Sequence, residues 1–214
     1  RPAHAVFFAG CTATCTFCTA ARFAFRPQYG VEATPAQLAA VVRRRRAQGA
    51  RTLEFVGGDP LPHLPFVLAT LALLGDEAPP VVWNSNFYHT PEALSLLDGV
   101  VALYLPDLKF GNDRCGLELG GMPDYWAVVT GAIAWAAARS PLLVRHLLMP
   151  RHFDCCTKPV LSWLAGQLPD VTVSLLTQYF PPAHARGPLG GFLSQAEIEQ
   201  ARSLAQTLKL KLAA

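Results

Sequence analysis

Charge is scarce in this chain. Asp, Glu, Lys and Arg together make up 15% of 214 residues, and the formal net charge is only +3. So small an excess does not provide the electrostatic footprint of a nucleic-acid-binding protein. The run Arg43-Arg44-Arg45-Arg46 does not change this, because four neighbours on a helix point around its whole circumference. It reads as a solvated helix face with aliphatic stems packed beneath. Long hydrophobic runs are also missing. The uncharged apolar stretches at 64–75 and 125–138 fall short of the roughly 20 residues that cross a bilayer. They are expected as helices covering a core, and neither a nucleic acid nor a membrane is expected as a partner. No export signal opens the sequence, and six cysteines in such a chain favour a reducing, cytoplasmic setting with thiols on metals rather than in disulfides. The first residue is Arg1 rather than Met, so the natural chain is expected to extend further at its N-terminus.

Apolar residues are plentiful, at 51%, which is enough for one sizeable core, and nothing divides 1–214 into two domains. Short β-branched or apolar runs recur around 5–10, 52–57, 81–86, 101–109, 142–149 and 171–178, with helical patterns between them. Thr34-Pro35-Ala36-Gln37 and Ser194-Gln195-Ala196-Glu197 are capping boxes, and Thr90-Pro91 opens another helix. Lys209 to Leu212 alternates as a short terminal strand would. Such alternation requires right-handed parallel crossovers and an α/β class, with an open or closed parallel barrel. Parallel α/β barrels place reactive groups at the C-terminal ends of their strands. By that rule Cys11, Gly57, Asn84 and Asp107 converge on one mouth.

A fourth cysteine is missing where it would matter. Cys11, Cys15 and Cys18 form CxxxCxxC just past the first strand. Ferredoxin-type runs that only carry electrons give four thiolates to a cube of four irons. Here the local count stops at three, leaving one iron open to a small molecule, much as a catalytic zinc keeps a position free. Read alone, the spacing also suits a zinc site short of one ligand.

Gly10-Cys11-Thr12-Ala13-Thr14-Cys15-Thr16-Phe17-Cys18, with an aromatic residue before the last cysteine, resembles the signature of the radical S-adenosylmethionine (SAM) superfamily. The resemblance implies a partial parallel (β/α)6 barrel, the radical SAM core, and a [4Fe-4S] cluster on Cys11, Cys15 and Cys18. It implies that the open iron chelates the amino and carboxylate groups of SAM. The reduced cluster would then cleave the sulfonium to a 5′-deoxyadenosyl radical that takes hydrogen from a substrate. Phe17 is expected near the cluster or the adenine. A one-electron donor of flavodoxin or ferredoxin type is implied as partner.

Downstream segments extend the resemblance. Gly57-Gly58-Asp59-Pro60, which alone reads as an ordinary turn, is similar to the family's GGEP motif. Its glycines let backbone approach a ligand without a Cβ in the way, and Gly57, Gly58 and Asp59 are expected at the methionyl amine. Asn84-Ser85-Asn86-Phe87 and Asp107-Leu108-Lys109 resemble stretches of the glycyl-radical-enzyme activases, such as the pyruvate formate-lyase activating enzyme. In those enzymes such residues help to hold a monovalent cation beside the SAM carboxylate. The resemblance thus implies cofactor contacts from Asp107 and, less specifically, Ser85 and Asn86, since Asn and Ser at a strand end are common turn formers. Arg145 in the fifth strand needs an anion, either a SAM or substrate carboxylate or a salt bridge to Asp107 or Glu54. His146, of opposite parity, is expected to face the helix layer as a core histidine. Gln178 and Tyr179 close the sixth strand at the mouth.

Three more cysteines, Cys115, Cys155 and Cys156, follow the fourth and fifth strands. They read as an auxiliary iron–sulfur or other metal site, as catalytic thiols that donate or relay hydrogen at the active face, or as small buried filler. The substrate implied is a glycyl radical enzyme, a peptide or a metabolite. The competing classes are an iron–sulfur electron carrier or scaffold without SAM cleavage, and a zinc module.

Overall fold

The computed structural model describes residues 2–213. Seven parallel strands appear: β1 (Ala3–Phe8), β2 (Thr52–Gly57), β3 (Val81–Ser85), β4 (Leu103–Pro106), β5 (Leu143–Leu147), β6 (Thr172–Leu176) and β7 (Lys211–Leu212). Between and after them run α1 (Ala21–Ala24), α2 (Pro35–Ala47), α3 (Leu64–Leu74), α4 (Pro91–Leu96), α5 (Asp113–Gly120), α6 (Tyr125–Ala137), α7 (Lys158–Gln167) and α8 (Gln195–Thr207). Strands pair in chain order as two ladders, β1-β2-β3-β4 and β5-β6-β7. Parallel bridges Tyr104↔Leu142 and Asp107↔Arg145 join β4 to β5. The product is one continuous parallel array, with no ladder joining β1 to β6 or β7 among the described residues. It is the expected α/β partial barrel with one added strand, the two-residue β7.

Local signals account for the element boundaries. Thr34 and Ser194 each cap the N3 amide while the N3 side chain returns to the cap, so both boxes form. Strand β1 ends two residues earlier than expected because Gly10 turns away at φ +92°. Strand β4 is shorter at both ends than 101–109. Pro106 donates no amide, and beyond it the chain divides its bonds: Asp107 N donates to Ser85 O at 2.9 Å and Leu108 N to Arg145 O at 3.0 Å. The arginine run lies exposed on α2, where Arg43 meets Glu77 at 2.8 Å.

Large side chains fill the space between sheet and helices. Trp83, Tyr104, Tyr125, Phe55 and Phe110 are fully buried, each removing enough apolar surface to contribute on the order of 2–3 kcal/mol. Helices present helical-period faces to the sheet: Val129, Ile133 and Ala136 on α6, and Val160, Leu161 and Leu164 on α7. His146 is fully buried as expected. Its Nδ1 lies 2.7 Å from Leu108 O and its Nε2 3.0 Å from Thr157 Oγ1. Those partners assign the proton to Nδ1. Burial lowers its pKa to about 4.

Candidate functional site

The C-terminal strand ends converge on a cavity of about 260 Å³. Cys11, Cys15, Cys18, Phe17, Gly57, Gly58, Asp59, Ser85, Asn86, Asp107 and Arg145 all line it, together with Asn84, Lys109, Gln178 and Tyr179. A larger cleft of about 480 Å³ opens beside the N-terminal end of β3, walled by Leu71, Pro79, Pro80 and Val100. No ionisable side chain lines that cleft. Chemistry therefore belongs to the smaller cavity, where thiols, carboxylates and cations meet.

The cysteine loop is fastened at its base. Thr14 N donates to Gly120 O at 2.8 Å and Thr16 N to Leu119 O at 2.9 Å, which uses carbonyls that α5 leaves free at its C-terminus. Cys15 is buried, whereas Cys11 and Cys18 are half-buried. Burial pushes all three thiols up, Cys15 to about 11. As free thiols they are protonated at neutral pH, so a bound metal must supply the pull that makes them thiolates. A single tetrahedral ion with metal–sulfur bonds of about 2.3 Å holds its sulfurs ~3.8 Å apart. Among the described residues, the only trio of metal-ligating side chains with all atoms within 4.8 Å of one another is elsewhere, at Cys115, Cys155 and Cys156. The wider Cys11, Cys15 and Cys18 arrangement fits a polynuclear cluster better than one ion.

Opposite the thiols, Asp107 sits between two cations. Its Oδ1 accepts from Arg145 Nε at 2.7 Å and Nη2 at 2.6 Å, and its Oδ2 from Lys109 Nζ at 2.6 Å. Burial acts to raise the Asp107 pKa, but Lys109 and Arg145 together hold it below the usual carboxylate value. Burial likewise acts to lower that of Lys109, and Asp107, then Cys15, keep it raised. The group carries one net positive charge. The salt bridge was one of the two alternatives for Arg145. Expectation of a monovalent cation at Asp107 meets a geometric obstacle: both carboxylate oxygens are already paired with cations. Asn84 Nδ2 donates to Glu54 Oε1 at 2.8 Å. These residues do not fit a cation site.

Asp59 lines the cavity, and its carboxylate is engaged by the protein itself. Its carboxylate accepts from Leu61 N at 2.9 Å, Asn86 N at 2.8 Å and Ser85 Oγ at 2.9 Å, and its side chain is almost wholly buried. Burial pushes its pKa up against those donors. Its observed work is to anchor the 84–87 loop. That loop in turn reaches the cysteines, since Asn86 Nδ2 donates to Thr12 Oγ1 at 2.9 Å. Phe87 takes φ +61°, with its amide satisfied by Ser85 Oγ at 3.1 Å.

The glycines have a packing reason beside the expected one. A Cβ on Gly57, at φ +125°, would run into the backbone of Phe8, and one on Gly58 into the Gly10 carbonyl. Their missing Cβ atoms let β1 and β2 close, and both glycines also line the cavity. Phe17 lines the cavity and packs edge-on to Phe110, with centroids 5.9 Å apart. Cys115, Cys155 and Cys156 follow β4 and β5 at the expected face and cluster together, but they do not line the cavity. Lys109 and Thr12 are the site residues that sequence reasoning passed over. The two-residue offset from Asp107, which puts Lys109 on the same side of the strand end, was the available signal for the first.

The comparisons agree with this geometry. A family model for the Radical SAM superfamily matches residues 5–164. An uncharacterised protein of Methanocaldococcus jannaschii is 36% identical over 99% of this chain, and the chain spans 64% of that relative's length. Among solved structures, SuiB of Streptococcus suis bound to S-adenosylmethionine superposes with a TM-score of 0.74 at 12% identity, over 99% of this chain and 50% of that one. A domain of a pyruvate-formate lyase-activating enzyme from Bacteroides vulgatus gives 0.58 at 19% identity, over 75% of this chain and 96% of that one. Membership implies radical chemistry with a [4Fe-4S] cluster and SAM, and it rests on a sequence match to most of the chain as well as on a shared fold. The chain belongs to the radical SAM superfamily.

Proposed function

We propose that this chain cleaves SAM reductively, with Cys11, Cys15 and Cys18 holding the cluster and the cavity beside them taking SAM. Convergence carries the reading: residues at the ends of β2, β3, β4, β5 and β6 line one cavity with the three thiols that follow β1. Cys11, Cys15 and Cys18 would hold a [4Fe-4S] cluster that, once reduced, would supply the electron for reductive cleavage of SAM and hence for hydrogen abstraction from a substrate.

The protein's own residues position that reaction. Lys109 and Arg145, with one positive charge left over after Asp107, attract the methionyl carboxylate. In this chain the Lys109 ammonium itself pairs with Asp107 Oδ2, so the cation beside that carboxylate is a side chain. Backbone at Gly57 and Gly58 offers carbonyls to the methionyl amine, with Asp59 and Asn86 holding that edge rigid. Phe17 and Tyr179 supply apolar wall for the nucleoside. A donor of flavodoxin or ferredoxin type delivers the electron. The substrate class favoured by likeness to the activating-enzyme domain is a polypeptide, a glycyl radical enzyme foremost.

Anaerobic reconstitution followed by dithionite, SAM and an assay for 5′-deoxyadenosine tests the proposal. Nucleoside is expected, and replacement of Cys15 by Ala abolishes it. A chain loaded with about four irons that yields none is an electron carrier instead.

A further inference from the structure

The second cysteine trio has an architecture of its own. Cys115 stands in the first turn of α5, and Cys155 and Cys156 belong to a wide turn, Phe153–Thr157, that leads into α7. Although 40 residues separate the two segments, all three sulfurs lie within 4.8 Å of one another. None is in a disulfide. Gly111 lets the loops meet, since a Cβ there would lie 2.7 Å from the carbonyl oxygens of both Cys155 and Cys156. Asn112 orients both sides. Its Nδ2 donates to Cys115 Sγ at 3.4 Å and to Cys155 O at 2.6 Å, while its Oδ1 caps Cys115 N at 2.8 Å. Amide N–H groups aimed at sulfur and at ligand backbone are the outer-shell pattern of thiolate metal centres.

We propose that Cys115, Cys155 and Cys156 bind a single thiophilic divalent ion, with zinc as the first candidate. The sulfurs are close enough to reach the ~3.8 Å spacing of a tetrahedral thiolate site by a small inward shift. That spacing is tighter than three thiolates on three different irons of a [4Fe-4S] cube adopt, so the sulfurs suit one shared ion better than an auxiliary cube. Cys156 is fully buried, while Cys115 and Cys155 are partly exposed, so solvent reaches the fourth position. Three S–H bonds give way to three sulfur–metal bonds, and the protons pass to solvent. No electron is transferred. The ion clasps the loop after β4 to the loop after β5. It thereby fixes α5, the helix whose far end carries the Cys11 to Cys18 loop.

Metal analysis of the full chain, reconstituted anaerobically with iron and sulfide and then given zinc chloride, tests this independently of SAM cleavage. About four irons and about one zinc per chain are expected after desalting. Cys115→Ser and Cys155→Ser, both at partly exposed positions, should each lower zinc at least about tenfold while the iron stays, which also reports that the variants fold. Cobalt(II) added to a chain carrying Cys11→Ala, Cys15→Ala and Cys18→Ala should give thiolate-to-cobalt charge-transfer absorption at one equivalent. Full iron with no zinc, zinc unchanged in both serine variants, no cobalt band, or a second set of irons lost on Cys115→Ser would each overturn the assignment.

Discussion

Two trios of cysteine sit at the same end of one parallel sheet, and they differ in almost every respect. Cys11, Cys15 and Cys18 come from a single loop, face a cavity and are spread wider than one ion allows. Cys115, Cys155 and Cys156 come from two segments, stand outside the cavity lining and are drawn tight. Strand β5 keeps them apart by parity alone. Arg145 points to the first site and pairs with Asp107, whereas His146, one residue on, points to the helix side and accepts from Thr157, next to Cys156. Sulfur spacing and strand parity thus separate the proposed reaction centre from the proposed metal clasp within one fold. Cysteine count alone does not.

The comparison breaks most severely if the trios are interchangeable. Cys15→Ala should remove the iron and lower 5′-deoxyadenosine formation well beyond the roughly 10–100-fold typical of outer-shell losses. Under the same assay Cys155→Ser should keep most of both. Equal losses from the two variants would erase the distinction.

Asp107→Ala should follow in size. It leaves Lys109 and Arg145, each largely shielded from solvent, without their anion, and costs about 3 kcal/mol in urea unfolding. The sign with pH is fixed by the lowered pKa. Stability from this ion pair is fully present above the ordinary carboxylate pKa of 3.8 and fades as pH falls through the lower folded value. Asp107→Asn should flatten that acid limb.

His146 tests the other side of β5. Its folded pKa of about 4 lies below the ordinary 6.5, so the unfolded chain takes up the proton first. Stability should fall as pH drops from about 6.5 towards about 4, by up to ~3 kcal/mol. His146→Gln should remove most of that dependence in thermal melts between pH 7 and 4. A dependence that survives the substitution places the acid-sensitive group elsewhere, with buried His89 next in line.

Gly58→Ala should push β1 from β2, at about 1–3 kcal/mol. The smallest effect is expected from Asn86→Ala. Loss of its bond to Thr12 should cost about 1 kcal/mol and show as faster loss of iron to a chelator, with zinc at the second trio unchanged.

Much of the fold was legible because its signals are local. Capping boxes at Thr34 and Ser194 act over three residues, and β-branched runs announced each main strand within a few positions. The strand-end rule was enough to gather Cys11, Gly57, Asn84 and Asp107 at one cavity. Other roles were illegible because they depend on partners far away in sequence. Asp59 reads as a ligand contact until Ser85 and Asn86 are seen to use its oxygens. Gly58 reads only as a ligand approach until the Gly10 carbonyl beside it supplies a second reason for the missing Cβ.

By itself the sequence determined the family, the alternating α/β order and the three-thiol loop, since each is written in spacings of a few residues that the backbone converts directly into geometry. Tertiary structure alone decided which anion Arg145 meets, why two glycines must lack side chains, and that three scattered cysteines close to within reach of one ion. Those depend on the register between β4 and β5 and on the contact between β1 and β2, where long-range packing sets distances that no local pattern encodes.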